Sequence, residues 1–117
     1  EAELQLGSSA SKLKQIDIPE EYFKTVKEGM RMAVTEGTAQ GLSYPDLKIA
    51  AKTGTAEVGG KKNFSHSWVV GFYPYENPKY AFAAVLEKGP AGNTIGAPYA
   101  MKRFFDWLKL YHPEDVK

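Results

Sequence analysis

Apolar residues at Phe23, Val26, Met30, Ala33 and Val34 recur at steps of three and four, which sets them on one face of a helix. Pro19 suits a first helical turn because no N–H is needed there, and Glu20 and Glu21 place negative charge at the positive end of the helix dipole. Gly37 follows the last periodic position, so the pattern predicts a helix that starts at Pro19 and closes near Gly37. After a turn-rich stretch from Gly41 to Asp46, three runs rich in β-branched, aromatic and small residues predict strands at Ile49–Val58, Ser67–Tyr73 and Tyr80–Glu87. Gly59-Gly60-Lys61-Lys62-Asn63 reads as a hairpin loop and Pro74-Tyr75-Glu76-Asn77-Pro78-Lys79 as a second turn, connections short enough to require an antiparallel meander. Lys88-Gly89-Pro90-Ala91-Gly92 is expected to end the third strand. Pro98 is expected to open a last helix with Met101, Phe104, Phe105, Leu108 and Tyr111 on one stripe. Each of these side chains, fully buried, would contribute roughly 1.5–3 kcal/mol. The order predicts an α+β fold, with N- and C-terminal helices packed on an antiparallel sheet of three consecutive strands.

Composition narrows the function by exclusion. A chain of 117 residues fits one domain and buries about two thirds of its unfolded surface. Hydrophobic content of 43% and charge of 25% argue against disorder and fibrous classes. Fifteen Lys and Arg against fourteen Asp and Glu leave a net charge of +1, too weak a field to suggest nucleic acid. Cysteine is absent, which removes disulfide frameworks and thiolate metal sites. His66 and His112 lie too far apart to suggest a ligand pair, and neither a metal nor a cofactor is expected. No apolar run nears the ~20 residues of a membrane helix, and Glu1–Gly7 lacks the pattern of a secretory leader, so any membrane anchor of a parent protein is expected outside the chain. Gly7-Ser8-Ser9-Ala10-Ser11 followed by Lys12-Leu13-Lys14 marks residues 1–15 as a flexible linker or junction, with residues 16–117 as the folded portion.

The candidate chemistry lies on the first strand, at Lys52-Thr53-Gly54-Thr55, where alternation puts Lys52 on one face and both threonines on the other. Glycine weakens a strand interior, so Gly54 has two readings: a bulge beside a solvated edge lysine, or a bare position where a ligand or another backbone approaches closely. In the second reading the strand's N–H and C=O groups pair with an extended peptide, Lys52 supplies charge and the hydroxyls bind a carboxylate. A nucleotide-binding loop needs a glycine-rich run before the lysine and a helix after it. Ala51 precedes Lys52 and the context is a strand, so nucleotide binding is not expected.

Ile49-Ala50-Ala51-Lys52-Thr53-Gly54-Thr55-Ala56, then His66-Ser67-Trp68-Val69-Val70-Gly71-Phe72-Tyr73-Pro74 and Asn77-Pro78-Lys79-Tyr80-Ala81, resemble the third, fourth and fifth strands of the penicillin-binding transpeptidases. The likeness is greatest to the class B, penicillin-binding protein 2 type. It extends through Val26-Lys27-Glu28-Gly29-Met30 and Gly37-Thr38-Ala39, and runs from about Ile16 to Leu110. The resemblance implies the C-terminal part of a domain of the β-lactamase/transpeptidase-like fold. It also implies a parent serine D,D-transpeptidase that cross-links peptidoglycan at the periplasmic face of the bacterial cytoplasmic membrane. By the same resemblance Lys52 supports proton transfer, the Thr53 and Thr55 hydroxyls hold the terminal carboxylate of the donor peptide or a β-lactam beside Gly54, and the Thr55 backbone N–H is one oxyanion donor. The residues flanking the motif resemble those of β-lactamases less.

The family uses three motifs, S-x-x-K, S-x-N and K-T-G, and the third alone is convincing here. Ser9 with Lys12 and Ser11 with Lys14 match the first formally, but no helical stripe surrounds them to hold lysine beside serine. No Ser-x-Asn triplet precedes Lys52. No nucleophile is therefore expected in this chain, which alone is expected to be inactive. His66 as a general base, or Trp68, Phe72 and Tyr73 as a stacking patch, read more simply as structural residues. The expected partners are the D-Ala-D-Ala stem peptide, β-lactams and the remaining part of the transpeptidase domain, with self-association where an edge and an apolar face lie uncovered. A non-enzymatic β-lactam sensor domain and an interaction module of the same fold stay open as alternatives.

Overall fold

The computed structural model describes residues 16–59, 63–90, 92 and 95–116. The linker assigned to residues 1–15, with Ser9, Ser11, Lys12 and Lys14, lies outside them. Helix α1 (Glu20–Thr35) leads through a 3₁₀ turn (Gln40–Leu42) to strands β1 (Ala50–Val58), β2 (Phe64–Tyr73) and β3 (Tyr80–Pro90). Helix α2 (Ala97–Tyr111) follows, with a 3₁₀ turn at Pro113–Val116. The strands form one antiparallel sheet in the order β1-β2-β3, so the expected α+β meander between two helices is what the chain adopts.

Register decides which side chains share a face, because directly opposed residues point the same way. Ala51, Thr53 and Thr55 oppose Gly71, Val69 and Ser67, which in turn oppose Phe82, Ala84 and Leu86. This face carries α2: Phe105 is fully buried there, with its ring edge-on to Tyr73 at 5.1 Å and to Phe82 at 5.3 Å. Lys52 and Gly54 point the other way with Val70 and Trp68. The core gathers around Phe105 with Val34, Leu42, Leu47, Ile49 and Val69, so the connection after α1 is itself part of the packing.

Gly71 shows how tightly the α2 face is built. A Cβ there would stand 2.4 Å from the Ala50 carbonyl oxygen and 2.5 Å from the Phe82 ring, so no larger residue fits without displacing backbone.

Four local expectations need correction, the simplest being that β2 begins at Phe64 and not at Ser67. Of the α1 stripe, Val34 is fully buried and Met30 and Ala33 partly so, whereas Phe23 and Val26 are 41% and 61% exposed. The helix is fastened to the start of β1 by the Arg31 guanidinium donating to the Ile49 carbonyl at 2.7 Å, while its first turns border an open hollow shared with Tyr75 and Glu76. The third strand does not stop at Glu87. A register shift opposite His66 absorbs one extra residue, Lys88 takes φ 53°, and its N–H donates to His66 Nδ1 at 3.1 Å, so the strand runs on to Pro90. On α2, Phe104 and Tyr111 stay 42% and 62% exposed, which leaves a narrower buried stripe of Met101, Phe105 and Leu108.

Candidate functional site

Strand β1 is an edge: β2 pairs with it on one side, and no described strand pairs with the other. Unpaired edges offer backbone donors and acceptors to an extended ligand. The β1–β2 register is continuous from Ala50↔Phe72 to Val58↔Phe64, so Gly54 is not a bulge. Nor does the protein's own packing require a glycine there, since a Cβ at Gly54 would meet nothing closer than Trp68 Cβ at 3.5 Å, an ordinary contact. The geometry excludes the bulge, while Lys52 stands exposed as that same reading expects.

The threonine side of β1 opens on a cleft of about 300 Å³. Thr53 and Thr55 form one wall with Gly54 between them, Thr38 closes one end, and Ser67, Gly96 and Tyr99 close the other. The hydroxyls of Thr38 and Thr53 are 2.6 Å apart, a direct hydrogen bond. On the opposite side, Lys52 lines a second hollow of about 400 Å³ with Met32, Gly37 and Thr38, and its ammonium donates to the Thr53 carbonyl at 2.5 Å. The four residues singled out in the sequence therefore sit together, with the lysine on one flank of the strand and the threonines on the other.

The start of α2 abuts the cleft, and a helix N-terminus commonly offers free N–H groups to an anion. Here they are spoken for. Ala97 N–H donates to Ser67 Oγ at 2.9 Å, Pro98 has none, and Tyr99 and Ala100 both donate to the Gly96 carbonyl at 3.0 and 3.3 Å. A Cβ at Gly96 would strike Ser67 Oγ at 2.4 Å, so glycine lets strand and helix meet this closely.

Thr38, Ser67, Gly96 and Tyr99 were not singled out by sequence. Thr38 lies in the Gly37-Thr38-Ala39 step and Ser67 in the His66-Ser67-Trp68 run, whose likeness to the family was their one signal; Gly96 and Tyr99 reach the cleft through tertiary folding alone. Of the remaining candidates, His66 accepts a hydrogen bond at the β3 bulge, Tyr73 is buried at 5% exposure, and Trp68 stands 42% exposed beside Lys52 on the open face.

Charged groups outside the cleft hold the scaffold. The Tyr44 hydroxyl donates to Asp106 at 2.7 Å and to the Lys102 carbonyl at 3.1 Å, tying the segment before β1 to α2. Burial, then the Asp106 carboxylate, push the Tyr44 phenol up; the Tyr44 hydrogen bond, then Lys102, hold Asp106 below the usual carboxylate range. His112, Glu114 and Asp115 bring donor atoms within 4.8 Å of one another, the described grouping that could take a metal ion. Asp115 there accepts from the Tyr80 hydroxyl at 3.0 Å and His112 packs on Trp107, contacts that fasten the last turn.

Comparison with known proteins decides the family. Residues 6–105 match the family model of the penicillin-binding protein transpeptidase domain. The chain belongs to that family. The peptidoglycan D,D-transpeptidase MrdA of Escherichia coli is 32% identical across 80% of this chain and 17% of its own length. Penicillin-binding protein H of Bacillus subtilis is 35% identical across 84% of this chain and 15% of its own length. The D,D-transpeptidase domain of a peptidoglycan glycosyltransferase from Eggerthella lenta superimposes with a TM-score of 0.68 at 30% identity, over 92% of this chain and 25% of that one. The chain thus spans 13–17% of the length of the curated relatives it matches. No helix among its described residues is long and apolar enough to cross a membrane.

Proposed function

We propose that the chain is the K-T-G-bearing portion of a peptidoglycan D,D-transpeptidase, and that β1 is the ribbon against which the D-Ala-D-Ala end of a donor stem peptide, or a β-lactam, is laid. The observation that carries this reading is the edge strand whose Lys52 and Thr53/Thr55 flanks face two separate hollows while Gly54 leaves the strand bare between them. The threonine hydroxyls donate to the ligand carboxylate, and the Thr55 N–H acts as an oxyanion donor where negative charge develops on the acyl carbonyl. Lys52 supports the proton transfers of a serine that lies outside these 117 residues, on a further part of the domain. That part would cover the open side of the sheet, where Trp68, Val70 and Val85 are 42%, 42% and 37% exposed, and the uncovered Phe23 and Val26 of α1. Without it the same surfaces favour self-association. The parent protein acts at the extracytoplasmic face of the bacterial cytoplasmic membrane.

A fluorescent penicillin tests the reading. The chain alone should take no covalent label, because no serine stands beside Lys52 among the described residues. Mixed with the serine-bearing portion it should restore acylation of that serine, and Lys52→Ala should lower the rate by about 10²-fold or more. A stable adduct on Ser9 or Ser11, or no labelling in the mixture, would contradict it.

A further inference from the structure

From the hydroxyl pair at the end of the cleft we infer that Thr38, which lies outside the K-T-G-T strand, is a positioning residue for carboxylate recognition: it turns Thr53 into a committed donor. The inference rests on the proposed carboxylate ligand of β1 and adds a residue and a direction of hydrogen bonding to it.

A threonine hydroxyl has one proton and two acceptor lone pairs, whereas an ionised carboxylate can only accept. A lone Thr53 hydroxyl beside a carboxylate could spend its proton on any nearby acceptor. The Thr38 oxygen lies 2.6 Å from the Thr53 oxygen, and the two hydroxyls line the same cleft. With the carboxylate seated on Thr53, as proposed for β1, its acceptor-only oxygens take the Thr53 proton and leave Thr38 as the donor of the pair. Thr38 donates to Thr53, and Thr53 donates to the carboxylate. A donor that is itself hydrogen-bonded at oxygen is polarised and donates more strongly, so the relay also strengthens the contact it orients.

The backbone holds Thr38 at this post from both sides. Helix α1 closes with Glu36 N–H on the Met32 carbonyl at 2.8 Å, and the chain folds back so that Ala39 N–H reaches the Ala33 carbonyl at 2.9 Å. Gly37 makes that fold possible, since a Cβ there would lie 2.9 Å from Ala33 Cα. Ala39 is fully buried. Between a glycine in close backbone contact and a buried alanine, the position of Thr38 is set by packing. Its exposed hydroxyl is free to serve Thr53. The α2 N-terminus cannot substitute, because its first N–H groups are already bonded.

The test titrates the 117-residue chain with N-acetyl-D-alanyl-D-alanine and with the same dipeptide capped as its carboxamide, following the Gly54 and Thr55 amide resonances. Thr38→Val, which keeps shape and removes the hydroxyl, should weaken binding of the acid by roughly three- to tenfold and leave the amide within error. Thr38→Ser, which restores the hydroxyl, should bind the acid as the unchanged chain does. A Thr38→Val chain that binds the acid normally, or that loses acid and amide equally, overturns the inference while the carboxylate reading of β1 survives. An unchanged chain that does not distinguish acid from amide removes both.

Discussion

The two faces of the sheet are built to different rules. Under the middle of α2 the sheet is closely packed: Val69 and Phe105 are fully buried, Tyr73 nearly so, and Gly71 is glycine because backbone and ring leave no room for a methyl group. On the opposite face Trp68, Val70 and Val85 remain 37–42% exposed, and Gly54 is glycine although a methyl group would fit. One face holds the fold together by internal contact. The other is left partly uncovered among the described residues. Two glycines on adjacent strands therefore carry opposite meanings, and the space around each tells them apart.

The sharpest way to break that contrast is to place the same methyl group on both faces. Gly71→Ala should destabilise the chain by about 1–3 kcal/mol in urea unfolding, since the new atom overlaps backbone and a core ring. Gly54→Ala should raise stability by about 0.5–1 kcal/mol, as alanine is less free than glycine when unfolded. The same change should impair penicillin acylation once the serine-bearing portion is supplied. Equal destabilisation at both positions would dissolve the distinction.

A smaller effect is expected from acid titration of the α2 side. Asp106 sits below its ordinary value because Tyr44 donates to it, with Lys102 beside it. A depressed carboxylate contributes stability that is fully present above its unfolded value, near 3.8, and is lost as pH falls through the folded one. Tyr44→Phe removes the larger cause, so the loss of stability on acidification should become shallower while the slope above pH ~5 stays the same. An unchanged acid profile would mean that the Tyr44–Asp106 bond does not couple the two segments.

Much of this was legible in the residues because local rules were strong. Alternation through Ala51-Lys52-Thr53-Gly54-Thr55 placed lysine and threonines on opposite flanks of β1, and short turns fixed the meander. The α1 stripe was read correctly as a helix and wrongly as core: periodicity reports which side chains are apolar, not which have something to pack on, so Phe23 and Val26 looked like Val34. The third strand was cut short because Lys88-Gly89-Pro90 resembles a turn, and the bond from Lys88 to His66 that carries the chain through a bulge joins residues 22 apart. Thr38 was missed for the same reason. Its partnership with Thr53 spans 15 residues, and no spacing rule marks it.

The central claim, that the outer edge of β1 is where an acyl-D-alanine ligand lies, is tested most directly by amide hydrogen exchange with N-acetyl-D-alanyl-D-alanine present. Exchange across residues 52–55 should slow, while residues 80–86 on the opposite edge strand β3 should be unaffected. Unchanged exchange at 52–55, or equal slowing on both edges, would contradict the account.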